Sequence, residues 1–69
     1  MTNTVLLNQK IADSGIKKAK IAAALGVTYG ALWQKVNNKR DFKASEIQKL
    51  CSLLGIETLQ QKEEIFFAN

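Results

Sequence analysis

The stretch KIAAALGVTYGALWQKV, residues 20–36, decides the fold because it predicts two short helices separated by a tight turn. Its first half is rich in alanine, the residue with the highest helix propensity. Ile21 and Leu25 lie four residues apart and predict one apolar stripe on this helix. Gly26 predicts an abrupt helix end, because glycine readily adopts the left-handed conformation found at helix C-termini.

The second helix of this pair carries the only tyrosine and the only tryptophan of the chain. Thr28 is suited to its N-cap, because a threonine hydroxyl can accept a hydrogen bond from an unpaired backbone N–H of the first turn. Leu32 and Val36 are one turn apart and predict the face that packs on the core. Tyr29 and Trp33 share a face offset from that stripe, and we expect Trp33 to be exposed. Partial burial of both rings in the core is the alternative.

The remainder of the chain predicts three further helices and no strand, because no segment shows sustained alternation of apolar and polar residues. Gly15 and Gly55 are expected to end two of these helices. Thr58 and Gln61 have the spacing of a capping box at the start of the last one. The expected helices cover about residues 3–14, a segment from 43–45 to 54, and residues 59–67.

Four further side chains are predicted to lie in or beside the core. Residues 37–43, NNKRDFK, form a basic turn that begins with two asparagines, which tolerate positive φ, and it closes on Phe42 as a core anchor. Cys51 is expected to be a buried small hydrophobe rather than a redox sensor. At least one of Phe66 and Phe67 is expected in the core. A dimer contact is the alternative for these two rings.

Length and composition restrict the class of protein. With 69 residues the chain forms one domain, residues 1–69, too small for a catalytic cleft and a cofactor domain. It has no histidine and one cysteine, so neither a metal site nor a histidine-based nucleophile system is expected. No apolar run reaches the length of a membrane span, and the N-terminal stretch does not fit a signal peptide. We therefore expect a cytoplasmic protein that is not an enzyme and uses no cofactor.

Positive charge is concentrated in the middle of the chain. Residues 17–43 hold seven basic residues and one acidic residue, Asp41, for a net charge of +6, whereas the rest of the chain carries −2. A segregated basic segment is typical of a face that binds phosphates. A lysine-rich solvated surface is the alternative.

An ordered set of core and turn positions runs through residues 20–56: Ala22, Leu25, Gly26, Leu32, Val36, Phe42 and Ile47. With these positions the chain resembles the lambda-repressor-like helix-turn-helix family, also called the Cro/repressor or XRE type, from about Leu6 to Phe67. The resemblance implies a compact all-α domain of five helices, with the helix-turn-helix at helices 2 and 3. The chain departs from the family where Lys17 stands in place of a common Ser or Thr cap and Asn38 in place of a glycine.

The resemblance also implies which residues contact DNA. In this family the start and outward face of the third helix enter the major groove. The residues at these positions, which are expected to contact the bases, are Thr28, Tyr29, Gly30, Trp33 and Gln34. The Gln34 amide can pair bidentately with adenine, and the Trp33 ring can lie against thymine methyls or the sugar-phosphate edge. Basic side chains near helix 2 and beyond the recognition residues are the expected phosphate contacts: Lys17, Lys18, Lys20, Lys35, Lys39, Arg40 and Lys43.

The function implied by this resemblance is that of a sequence-specific regulator of transcription from a phage, prophage or mobile element. It would bind double-stranded DNA in the bacterial cytoplasm, with no small-molecule ligand. Its operator is expected to be palindromic and read by a weak or DNA-induced homodimer, with half-sites roughly 34 Å apart. The alternative is a protein-interaction module, such as an antitoxin or antirepressor, that uses the aromatic pair as its anchor.

Overall fold

A computed structural model describes residues 1–68, which fold into α-helices and contain no strand within that range. The predicted all-α class is therefore confirmed. The five helices are α1 (Thr4–Ser14), α2 (Lys18–Leu25), α3 (Tyr29–Val36), α4 (Ala44–Leu54) and α5 (Leu59–Phe66). In this part of the chain no helix has both the length and the apolar character needed to cross a membrane.

The connection between α2 and α3 has the caps that the sequence predicts. Gly26 ends α2 with φ 73°, a left-handed conformation that strains any residue with a Cβ. Thr28 is the N-cap of α3, and its side-chain oxygen accepts a hydrogen bond from the Ala31 backbone N–H over 3.1 Å. The turn between the two helices is thus only three residues long, 26–28, and keeps α2 and α3 packed on each other.

The core lies where the inner faces of all five helices meet. Helix α2 packs against both α3 and α4, and α1 contacts α3, α4 and α5. Burial of this apolar surface is the main stabilising contribution to a domain of this size. The buried apolar residues are Leu7, Ile11, Ile21, Ala22, Leu25, Leu32, Val36, Leu50, Cys51, Ile56, Ile65 and Phe66.

The expected burial of Cys51 and of at least one C-terminal phenylalanine is confirmed. Phe66 is buried and meets the half-buried Phe42 edge to face, with ring centroids 5.7 Å apart. Phe67 follows the end of α5 and is exposed, as is Leu59 at its start. Cys51 is buried, and this burial raises the pKa of its thiol despite the nearby Lys62 ammonium.

The N-terminal segment fastens the end of α3 to the end of α5. Asn38 has φ 61°, and its side chain accepts from the Thr2 backbone N–H over 2.8 Å and donates to the Thr2 carbonyl over 2.7 Å. The Thr4 hydroxyl donates to the Val36 carbonyl over 2.7 Å, which joins the first residue of α1 to the last residue of α3. The backbone N–H of Asn3 donates to the carbonyl of Ile65 in α5 over 2.6 Å. These bonds fix the C-terminal end of α3.

Candidate functional site

Helix α3 divides its side chains between an inner face and an outer face. Leu32 and Val36 are buried, whereas Tyr29 is 54% exposed and Trp33 is 52% exposed. The prediction that Trp33 is exposed is therefore confirmed, and neither ring is a core residue. The outer face, as we use the term, consists of Thr28, Tyr29, Gly30, Trp33 and Gln34, all of which are exposed.

Gly30 has no structural reason to be glycine. Its φ is not positive, and a Cβ placed on it would meet no atom within 4 Å. Because successive residues are about 100° apart around a helix, Gly30 lies nearly opposite the buried side of α3. A residue that lowers helix stability by about 1 kcal/mol relative to alanine therefore sits at the centre of the outer face.

A narrow slot runs beside the two aromatic rings. It is lined by Lys18, Tyr29, Leu32, Trp33, Val36 and Asn37. Asn37 was not expected in this place, because the sequence suggested only a turn there. Its side chain donates a hydrogen bond to the carbonyl of Trp33, four positions earlier in the chain, over 2.9 Å. Tyr29, Trp33 and Asn37 are each four residues apart, and this spacing could have predicted that they share one helix face.

The prediction that Lys35 contacts a phosphate is wrong, because its side chain is not available to one. Only 5% of Lys35 is exposed, and its Nζ lies 2.6 Å from both carboxylate oxygens of Glu46. The physical reason is position: Lys35 comes three residues after Leu32 and therefore shares the inner face of α3. Both charges are buried, so each depends on the other for compensation.

Glu46, which sequence reasoning did not single out, joins three parts of the fold. Its Oε1 also accepts from the Lys43 backbone N–H over 2.8 Å, which satisfies one unpaired donor at the start of α4. Burial alone would raise the pKa of the Glu46 carboxyl. The hydrogen bonds from Lys35 and Lys43 outweigh that effect, so the pKa lies below its ordinary value of 4.5. One carboxylate thus ties α3, the loop of residues 37–43 and α4 together.

The other six predicted phosphate contacts are exposed and fall into two groups along the chain. The first group lies at the start of α2, where Lys17 is the N-cap residue and makes no side-chain hydrogen bond to the first turn. The second group lies between α3 and α4, where the backbone N–H of Lys39 donates to the Gln34 carbonyl over 2.8 Å. The six basic residues are Lys17, Lys18, Lys20, Lys39, Arg40 and Lys43.

Residues 17–43 therefore carry an excess of positive charge even without Lys35. Asp41, itself exposed, is the only acidic residue between positions 17 and 43. Within the described part of the chain, no group of three or more Cys, Asp or Glu side chains is arranged to hold a metal ion. The exposed side of this arrangement presents basic and aromatic groups.

Comparison with family models, with curated proteins and with solved structures finds no match to this chain.

Proposed function

We propose that this protein is a sequence-specific regulator of transcription that binds double-stranded DNA and inserts α3 into the major groove. In this proposal α2, the turn at residues 26–28 and α3 act as a helix-turn-helix of the lambda-repressor-like type. Two eight-residue helices with a three-residue connection, ended by Gly26 and begun by Thr28, are consistent with that unit. The protein would have no enzymatic activity.

The observation that carries the proposal is the outer face of α3, which residues 1–68 leave exposed, together with exposed basic groups at the start of α2 and in the loop after α3. Lys18 lines the same slot as Tyr29 and Trp33, and the loop of residues 37–43 folds back on the Gln34 carbonyl. Exposed cations beside a helix that can enter a groove favour a polyanionic partner. If about five phosphates are neutralised, the slope of log K against log salt is about −4 to −5.

Base reading would be the task of the polar groups on the outer face. Gln34 is the strongest base reader of the set, because its amide can donate to and accept from adenine at the same time. The Thr28 and Tyr29 hydroxyls stand at the N-terminal end of α3, where repressor-type helices approach the bases. Gly30 would let the helix backbone come close to the DNA.

The proposed mode of regulation follows from the resemblance to the lambda-repressor-like family. A single small domain would act by occupying a palindromic operator as a weak or DNA-induced homodimer, thereby excluding RNA polymerase. Its place of action would be the nucleoid of a bacterial or phage-infected cell.

The exposed aromatic pair favours one second candidate, a protein-interaction module such as an antitoxin or antirepressor. Tyr29 and Trp33 are the residue types that dominate protein interfaces. The excess of exposed cations is less suited to such a role, because lysine is depleted in the core of protein interfaces.

Selection of bound sequences from a pool of random duplex DNA tests the proposal. The wild-type chain should enrich one motif. Gln34→Ala should relax the preference at one position, whereas Lys39→Ala should weaken binding to all sequences alike. Failure of the wild-type chain to enrich any motif would contradict sequence-specific recognition.

A further inference from the structure

The slot beside the two exposed rings has a size and a lining that restrict what can enter it. It is lined by the exposed Tyr29 and Trp33 and by the buried Leu32 and Val36. The inner space is so small that a group about the size of a water molecule or a methyl fills it. The two other residues that line it, Lys18 and Asn37, are polar.

The chemistry of the major groove offers one group that fits an apolar slot. Adenine, guanine and cytosine present hydrogen-bond donors and acceptors at their groove edges, whereas thymine also presents a 5-methyl group. A base edge with only polar atoms would lose its water at an apolar wall without gaining a hydrogen bond, which is unfavourable. A methyl group instead gains from leaving water.

We infer that the slot formed by Tyr29, Trp33, Leu32 and Val36 takes the 5-methyl group of a thymine. The inference rests on the proposed function, and it names a base at one position of the DNA site. Lys18, which also lines the slot, would contact the phosphate next to that thymine and hold the strand against the rings. Gly30, on the outer face of the same helix, leaves room for the strand to approach.

The test uses the wild-type chain and the duplex that it enriches from random DNA. Each thymine in that duplex is replaced in turn by deoxyuridine, which removes the methyl and leaves the hydrogen-bonding groups in place. One replacement should weaken binding about fourfold, the effect of burying one methyl, and the others should have little effect. This series does not depend on whether any variant folds.

Two variants then assign the effect to the slot. Trp33→Ala should bind the thymine and deoxyuridine duplexes equally, because the wall that the methyl contacts is gone. Phe67→Ala is the matched control, since Phe67 is also an exposed aromatic residue but lies beyond α5, and this variant should keep the fourfold difference.

The outcomes separate the inference from the proposed function. An enriched motif with no thymine sensitive to methyl removal overturns the slot and leaves DNA recognition standing. Methyl sensitivity that persists in Trp33→Ala also overturns the slot as the site. Absence of any enriched motif contradicts the proposed function itself, and the inference with it.

Discussion

Each of the two faces of α3 departs in one respect from those of an ordinary surface helix. Its inner face contains a charged residue, Lys35, between apolar positions, while its outer face exposes two aromatic rings and a glycine. Surface helices usually bury apolar groups and expose charged ones. The buried charge on the inner face is compensated, because Glu46 pairs with Lys35. On the outer face, residues 1–68 leave Tyr29, Gly30 and Trp33 exposed.

This difference separates residues that stabilise the fold from residues that are available to a partner. Substitutions on the inner face should change the free energy of unfolding, and substitutions on the outer face should mainly change binding. The predictions below test that division, beginning with the largest expected effect.

The largest effect is expected for Lys35→Ala. The substitution leaves the Glu46 carboxylate buried without its partner, and such a loss typically destabilises a protein by about 3 kcal/mol or more. Urea denaturation followed by circular dichroism measures the change. Lys39→Ala is the control, because Lys39 is exposed, and its unfolding free energy should shift by less than about 0.5 kcal/mol. Equal effects of the two substitutions would refute the structural role of the buried pair.

The next effect concerns recognition rather than stability. Gln34→Ala should reduce the preference for the cognate base pair at one position by about tenfold, because a bidentate contact is worth about 1–3 kcal/mol. Gln48→Ala, in an exposed position on α4, should leave the preference unchanged. Competition binding with duplexes that differ at single positions gives the ratio. Unaltered discrimination in Gln34→Ala would remove Gln34 from the set of base readers.

Gly30→Ala should move stability and binding in opposite directions. The added methyl meets no atom of the chain and raises helix propensity, so the unfolding free energy should increase by about 0.5–1 kcal/mol. Binding to duplex DNA should weaken, because the methyl stands at the centre of the outer face. Gly26→Ala is the contrasting variant and should be destabilised, since its backbone has φ 73°. Unchanged DNA affinity in Gly30→Ala would show that the glycine serves no close approach.

The smallest effect on stability is expected when acid protonates Glu46 on the buried side of the fold. The folded pKa of Glu46 lies below its ordinary value of 4.5, so its contribution to stability is present above that pH. The contribution is lost as the pH falls through the lowered folded value, because the carboxyl then takes up a proton. Unfolding free energies measured between about pH 6 and pH 3 should fall more steeply for the wild type than for Glu46→Gln. Parallel curves would contradict the lowered pKa.

The fold was largely predictable because its signals are local. Gly26 and Thr28 mark the ends of α2 and α3 through their own backbone preferences, and Asn38 adopts the positive φ expected of it. Thr58 and Gln61 form the capping box that their spacing suggests, with Thr58 accepting from the Gln61 N–H over 3.1 Å. Each of these features involves residues no more than a few positions apart.

The site was only partly predictable because charge pairing acts over longer separations. Lys35 looked like one more member of a basic segment, yet it pairs with Glu46, eleven positions further along the chain. Its spacing from Leu32 was the available warning, since residues three apart share a helix face. The bonds from Asn38 to Thr2, 36 positions away, had no comparable local signal.

Titration of Trp33 fluorescence with duplex DNA, repeated at several salt concentrations, tests the DNA-facing role of α3 most directly. Trp33 is the only tryptophan of the chain and is half exposed on the outer face, so its emission reports contact at that surface alone. The expected result is a change in emission that saturates as duplex binds, with a slope of log K against log salt of about −4 to −5. Duplex binding that leaves Trp33 emission unchanged, or that does not depend on salt, would contradict the assignment of α3 and its basic flanks to DNA.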